Sequence, residues 1–319
     1  MKNFVKYFEL SAIWKRLLIL NSLFLILNCV FAQQDPQYSM YMFNQYVINP
    51  AFGGSKDAVS ATLMLRNQWV GIDGAPRTQT LSVHAPLSKK KIGLGLHVVT
   101  DQIGPVKTAG IFGSYSYKIT LPKGKLVMGL RAGMFQYVYN WNAIDHYDQA
   151  DNVYTQNRTS YIVPSADAGL YYYTRDMYIG LSATHLFNGR ITSTTAPNGD
   201  NASYVPHAFL TVGKAFDISS SVILNPSFAL RTAENSPVNA DINLNALFQN
   251  RVWVGVSYRT SFGIVFLTQV VVTEKLKIGY SFDWGFTPIA GIGQGSHEFM
   301  MSYDFAVFGR SKMISPRYF

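Results

Sequence analysis

This chain is poor in three things that most soluble enzymes carry. It has one cysteine, Cys29, in 319 residues. Charged residues are 14% of it, against about 25% in soluble domains. Beyond residue 31 it has no uninterrupted apolar run near the ~20 residues that a spanning helix needs. The first lack excludes a disulfide framework in any chain that has lost Cys29, and a cysteine metal site with it. The second argues against a large water-facing surface. The third leaves a closed β-barrel as the way to cross a bilayer, because only helices and closed barrels satisfy their backbone in lipid.

A compartment signal stands at the front. Lys2, Lys6, Lys15 and Arg16 precede an apolar run from Leu17 to Phe31, which fits a secretory signal and is short for a membrane span. Val30-Phe31-Ala32 reads as the cleavage site, so residues 1–32 are expected to be a signal peptide and the mature chain to begin at Gln33. A lipoprotein reading would lipidate Cys29, but Ile26-Leu27-Asn28 lacks the small residues expected before it. The formal net charge is +9, of which the signal supplies three, leaving about +6. The basic residues sit mostly in turns and at the tail. No clustered stripe or recognisable module suggests a nucleic-acid partner.

What fills the rest is alternation. In Val238-Asn239-Ala240-Asp241-Ile242-Asn243-Leu244-Asn245-Ala246 every second residue is apolar and the others are polar. Successive strand side chains point to opposite faces, so this segment has one greasy and one wet face. Aromatics are 14% of the chain, as expected where lipid-facing rims carry aromatic girdles. Strands are predicted at 57–70, 78–87, 92–101, 108–121, 126–140, 164–174, 177–187, 205–216, 221–232, 238–249, 251–259, 261–272, 276–286 and 296–308. That is about fourteen, an even number, as bacterial single-chain barrels require.

The connections between them mostly alternate long and short. Short ones include Pro122-Lys123-Gly124-Lys125, Arg175-Asp176 and Glu274-Lys275; long ones are 141–163 and 188–204. Short turns at one end and longer loops at the other are the habit of outer-membrane barrels, whereas a soluble sandwich has no reason for them. With the N-terminus in the periplasm, the odd-numbered connections lie outside, and the connection near 260 is very tight for that role. The expected fold is therefore all-β: a transmembrane outer-membrane β-barrel over 57–308, with a short N-terminal periplasmic plug segment at 33–56 and a basic periplasmic tail at 309–319.

Facing follows from the alternation. Ile92, Leu94, Leu96 and Val98 should meet lipid, with Gly93, Gly95 and His97 inward. Leu276, Ile278, Tyr280, Phe282 and Trp284 should face out, opposite Lys277, Gly279, Ser281 and Asp283. A charge on the lipid face costs about 2–4 kcal/mol at the midplane, so Lys277, Asp283, Asp241 and Arg131 are expected in the lumen. Gly129 and Gly133 suit bends or the close approach of a plug.

Signatures of chemistry are scarce. His84, His97, His146, His185, His207 and His297 show no H-E-x-x-H or H-x-E pattern and no helical ligand spacing, so no metal or cofactor is expected. No serine sits in a G-x-S-x-G elbow. Gly291-Ile292-Gly293-Gln294-Gly295 precedes a strand and lacks a following P-loop lysine, so it reads as a flexible outer loop. Asp145, Asp148 and Asp151 offer calcium-like spacing in a loop more simply read as solvated. An embedded esterase or protease would need Ser, His and acid clustered at one rim. The expectation is a protein that is not an enzyme.

Two segments are more specific than a generic barrel. In Gln37–Ser55, Tyr41, Met42, Tyr46 and Val47 suit a short helix ending near Asn49-Pro50, where the pre-proline residue disfavours helix; Asn44, Gly53 and Gly54 complete that segment. The second runs from Arg66 through Gln68, Trp69, Gly71, Gly74 and Pro76 to Thr80. There Trp69 fits an aromatic girdle and the glycines and proline build the first outer loop. Together with the ending Ser315-Pro316-Arg317-Tyr318-Phe319, these blocks resemble the PorP/SprF family over the whole mature chain. The resemblance implies a non-enzymatic outer-membrane barrel of the type IX secretion system of Bacteroidetes-type bacteria. It implies as partners a secreted surface adhesin or its C-terminal domain, periplasmic and outer-membrane secretion components, and the lipid bilayer. It allows a role in gliding motility, and leaves open a core secretion member or a dedicated adhesin partner. The Asn49-Pro50-Ala51 stretch is also similar to that of FadL-type barrels, which makes a passive channel for hydrophobic solutes the alternative. The basic tail, with Arg310, Lys312 and Arg317, reads either as a disordered end or as a docking peptide for a periplasmic partner.

Overall fold

The computed structural model describes residues 36–56, 58–87, 91–140, 158–187, 190–191, 202–203, 205–233 and 236–305. The signal region, Asp145 to Asp151, most of the 188–204 connection and the tail with Ser315, Pro316 and Arg317 lie outside them.

Fourteen antiparallel strands close into one barrel. In chain order they are β1 (Val59–Asn67), β2 (Arg77–Leu87), β3 (Ile92–Ile103), β4 (Val106–Leu121), β5 (Gly124–Asn140), β6 (Arg158–Tyr173), β7 (Met177–Thr184), β8 (His207–Lys214), β9 (Val222–Ala233), β10 (Asn239–Phe248), β11 (Val252–Arg259), β12 (Gly263–Val271), β13 (Leu276–Gly285) and β14 (Ser296–Phe305). Each pairs with its neighbour in sequence, and β1 pairs with β14 to shut the ring. Phe216–Ser219 continues β8 past a break at Ala215 and pairs with β9. A two-residue ladder joins Arg190–Ile191 to Ala202–Ser203.

Alternation decides the two faces. On β10 the inward Asp241, Asn243 and Asn245 are buried, while Ile242 and Leu244 are exposed. The expected facing of β3 and β13 holds: His97 and Asp283 are buried, and Leu94, Leu96, Tyr280 and Trp284 are exposed. Such an exposed apolar sheath would be an aggregation hazard in water and is at home in a bilayer. Exposed aromatics stand near both ends, with Phe228, Phe266, Tyr280 and Phe299 between them. Tyr115, Tyr117, Phe216, Phe248, Tyr303 and Phe305 lie near one end, and Tyr258, Trp284 and Phe286 near the other.

Prolines cannot donate to a ladder, so in a sheet they belong where one side is unpaired. All three strand prolines obey this. Pro86 lies past the last β1–β2 pair, Ser60↔His84. Pro226 falls in the gap between Gly213↔Ser227 and Phe216↔Leu224. Pro164 lies above the last β6–β7 pair, Ala168↔Ala183, although the β5–β6 ladder runs on to Asn140↔Arg158.

The connections at 68–76, 141–157, 185–206 and 286–295 are longer than the turns at 122–123, 174–176 and 249–251 at the opposite end. Two odd-numbered connections depart from that expectation. At 104–105 the β3–β4 ladder continues to Ile103↔Val106, with Gly104 at φ 53°. At 260–262 the chain reverses through Ser261 at φ 63°. The 286–295 loop is not free either, because Val70 donates to the Gly295 carbonyl at 2.9 Å and Gln294 to the Val70 carbonyl at 2.7 Å.

Candidate functional site

Residues 38–56 make their contacts inside the ring. Their partners are inward-facing side chains from strands all around it. The Tyr38 hydroxyl meets Thr80 of β2 at 2.7 Å and the Tyr46 hydroxyl meets Ser114 of β4 at 2.6 Å. Asn243 of β10 donates to the Tyr41 hydroxyl at 2.9 Å, and Ser182 of β7 to the Ile48 carbonyl at 2.7 Å. A segment touching the inner faces of β2, β4, β7 and β10 runs within the ring of strands. The expected short helix is instead two 3-10 turns, Gln45–Val47 and Pro50–Phe52.

Asn49 explains the second turn. Its side chain accepts the Ala51 N–H at 2.9 Å, capping the turn that Pro50 opens, and donates to the Leu170 carbonyl of β6 at 3.0 Å. Proline at the first position gives up an N–H that has no partner within the turn. The wall makes room with glycines. A Cβ on Gly129 would stand 2.4 Å from the Ala51 nitrogen, and one on Gly169 would stand 2.1 Å from Asn49 Oδ1. Gly133 lies against Ile111 and Phe112 of β4, not against the segment. Downstream, the Gly53 carbonyl accepts from Ser116 at 2.6 Å and the Gly54 carbonyl from Lys118 at 3.0 Å. The Gly54 N–H donates to His84 Nδ1 at 3.2 Å.

Charge fixes the other half. Arg66 of β1 donates to Asp283 of β13 at 2.6 Å and to Glu298 of β14 at 3.1 Å, all three fully buried. Ser39 and Met40 give their backbone N–H groups to Glu298 at 2.8 and 2.9 Å, and the Ser39 hydroxyl donates to Asp283 at 2.7 Å. Arg259 of β11 pairs with Asp241 of β10 at 3.3 Å and donates to the Tyr38 carbonyl at 3.2 Å. Arg231 of β9 reaches Asp241 at 2.6 Å. Arg131 of β5 pairs with Asp167 of β6 and donates to the Tyr46 and Val47 carbonyls at 3.1 and 3.3 Å. Its guanidinium also lies 5.9 Å from the Tyr46 ring centre and 5.7 Å from that of Phe112. Three arginines thus hold the segment by its carbonyls or through shared carboxylates. The expected lumenal placement of Arg131, Asp241 and Asp283 is met, and Lys277 also turns inward, 3.7 Å from Asp304.

The segment's own titratable groups feel this burial. Burial first, then the nearby Asp241 carboxylate, raises the Tyr41 hydroxyl far above its ordinary range. Lys56 sits 3.5 Å from Asp304, yet burial and the neighbouring Lys277 lower it to about 8.

Of the residues singled out from sequence, Asn44, Asn49, Pro50, Gly53, Gly54 and Arg66 come together inside the barrel. Asn44 reaches Ser82 Oγ and Met64 Sδ, each at 3.4 Å. Gln68, Trp69, Gly71, Gly74 and Pro76 form a separate group in the β1–β2 loop. Gln68 donates to the Pro76 carbonyl at 3.0 Å, and Trp69, Gly71 and Gly74 take positive φ of 43°, 94° and 73°. The Trp69 indole nitrogen is buried. Sequence reasoning missed Arg259, Glu298 and Asp304 on the wall, and Ser39 and Lys56 at the two ends of the segment. For the three wall residues the signal available was a charge at an inward position of a lipid-facing strand, which must find a partner. Among the described residues no group of histidine, cysteine or carboxylate side chains could hold a metal.

Solved structures similar in fold include the outer membrane protein Omp33 of Acinetobacter baumannii, at 10% identity over 78% of this chain and 99% of that one, TM-score 0.45. The toluene transporter TbuX of Ralstonia pickettii is similar at 10% identity over 83% and 92%, TM-score 0.49. A FadL homologue of Pseudomonas aeruginosa is similar at 12% identity over 85% and 95%, TM-score 0.47. No curated protein matches the chain. The model of the type IX secretion system membrane protein family PorP/SprF matches residues 30–303, and this outer-membrane barrel belongs to that family.

Proposed function

We propose that this barrel is a non-enzymatic holder for one secreted surface adhesin, supporting its export through type IX secretion and its attachment at the cell surface. The observation that carries the reading is the N-terminal segment, held in the lumen by Arg66, Arg131 and Arg259. A lumen occupied by a segment pinned through buried ion pairs suits a plugged, load-bearing barrel better than an open pore. Its loop end, including the 141–163 and 188–204 connections, most of which lie outside the described residues, would meet the adhesin, and the opposite end would meet periplasmic secretion components. Gliding follows if the adhesin is one that moves along the surface.

The test is a pull-down of tagged protein from detergent-solubilised outer membranes, in parent and type IX-deficient cells, read by mass spectrometry. One large surface protein recovered from parent cells supports the holder. Periplasmic motor and ring components alone would reassign the barrel to the core assembly.

One observation favours a second reading, a lateral route for hydrophobic solutes. The regular β6–β7 ladder stops at Ala168↔Ala183, beyond which Leu186 still donates to the Ala166 carbonyl at 2.8 Å, and inside the ring Val99, Phe112, Phe135, Tyr137 and Val163 form an apolar cluster that includes β6. Conductance in planar bilayers and solute uptake in a deletion strain test it. A sealed barrel with unchanged uptake removes it.

A further inference from the structure

The ring closes where its first strand meets its last, and the two faces of that seam differ in what they can specify. The outward pairs are Val59↔Phe305, Ala61↔Tyr303, Leu63↔Met301 and Leu65↔Phe299, followed at the loop end by the polar Asn67↔His297. The first four are apolar and meet lipid. Sliding β1 past β14 by two residues would keep apolar partners along most of this face and change only the loop end, where Leu65 would meet His297 or Asn67 would meet Phe299, so the outer face does little to fix register. A one-residue slip is blocked, because it turns the polar set outward.

The inward pairs are Ser60↔Asp304, Thr62↔Ser302, Met64↔Met300 and Arg66↔Glu298. Here every pair is matched. Ser60 donates to Asp304 at 2.6 Å, Thr62 to Ser302 at 3.0 Å, and Arg66 pairs with Glu298 at 3.1 Å. The two methionines stack between them, both fully buried. A two-residue slip sets Arg66 against Met300 or Ser296, and Glu298 against Met64 or against the position after Asn67. Either leaves buried charges without their partners, which is among the most costly errors an interior can contain.

We infer that this inner polar ladder sets the register of the closing seam, and that the N-terminal segment is a working part of the lock. Glu298 takes the N–H groups of Ser39 and Met40 as well as Arg66, and Lys56 lies beside Asp304 at the other end of the same seam. The segment therefore bridges β1 and β14 at both ends of the ladder. With it absent, Glu298 loses two of its donors and the native register loses part of its advantage. The barrel closes around the segment, which becomes an assembly element as well as a filling.

Cysteine pairs read the register directly, because the chain from Gln33 onward contains no cysteine. Thr62→Cys with Ser302→Cys reports the native register. Thr62→Cys with Met300→Cys and Met64→Cys with Ser302→Cys report the two slipped ones, whose native diagonals of about 7–8 Å are too long to bridge readily. In the otherwise unaltered protein only the native pair should cross-link. Adding Arg66→Met and Glu298→Met together should raise slipped cross-links at least tenfold, and so should deleting residues 33–43. If that double substitution abolishes folding, Glu298→Gln preserves the shape and should still raise them severalfold. Exclusive native cross-linking in every folded variant would overturn the lock. Exclusive native cross-linking in the deletion alone would overturn the part assigned to the segment.

Discussion

Arg66 and Asp283 lie 217 residues apart in sequence and 2.6 Å apart inside the barrel, with neither side chain reaching more than 1% exposure. Removing one partner of such a pair leaves a buried charge uncompensated and costs about 3–5 kcal/mol. Asp283→Ala should therefore lower the heat-modification midpoint of the detergent-solubilised barrel sharply. Asp283→Asn keeps an acceptor for Ser39 and should cost less. Equal midpoints for Asp283→Ala and the parent would mean that the network contributes nothing to stability.

Much of the fold was legible because lipid is an unforgiving solvent. Each strand had to keep one face apolar, so Ile92, Leu94, Leu96 and Val98 announced β3, and Leu276 to Trp284 announced β13. The charged residues opposite them had to be lumenal for the same reason. The pairings were not legible. Alternation says that Asp283 points inward but not that Arg66 waits there, since register between distant strands is set by the whole ring. Residues 37–55 were readable as a unit and not as a path: two 3-10 turns carry no 3.6-residue period, and Asn49 is recognisable as a cap only once Pro50 is seen to open a turn.

Gly129 offers a way to displace the segment without touching a charge. Its added Cβ would meet the Ala51 nitrogen at 2.4 Å, the Ala51 Cα at 2.5 Å and the Pro50 carbonyl carbon at 2.6 Å, all backbone atoms that cannot swing aside. Gly129→Ala should leave the strands formed but force residues 49–53 off the wall. Single-channel conductance in planar bilayers should rise, and residues 36–56 should become accessible to protease. Gly113→Ala is the control, because nothing lies within 4 Å of its Cβ. A silent Gly129→Ala barrel would mean that the segment yields without opening a path.

Arg131 holds two backbone carbonyls and a carboxylate at once, a task for a planar fork of donors. Arg131→Lys keeps the charge and cannot reach the Tyr46 carbonyl, the Val47 carbonyl and Asp167 together. The expected loss is about 2–3 kcal/mol, in line with hydrogen bonds to charged groups. Hydrogen exchange should show it, with faster exchange at residues 45–49 than in the strands. Uniform change across the barrel would make Arg131 a wall residue with no special hold on the segment.

Lys56 predicts a pH dependence whose sign follows from its burial. Its pKa falls from 10.5 to about 8 on folding. Between those values the unfolded chain binds the proton and the folded one does not, so this group makes stability rise with pH across that window. Below pH 8 both states are protonated and the full penalty, about 3 kcal/mol as an order of magnitude, is present. Tyr41 acts in the opposite sense, because its raised pKa keeps the proton on in the folded state while the unfolded one loses it above about pH 10. The two effects separate by subtraction. The unfolding midpoint of the parent minus that of Lys56→Met should climb from pH 8 to 10, since the methionine variant carries no proton there to lose. A difference that stays flat over that range would show that Asp304, 3.5 Å away, holds the Lys56 proton in place through the whole window.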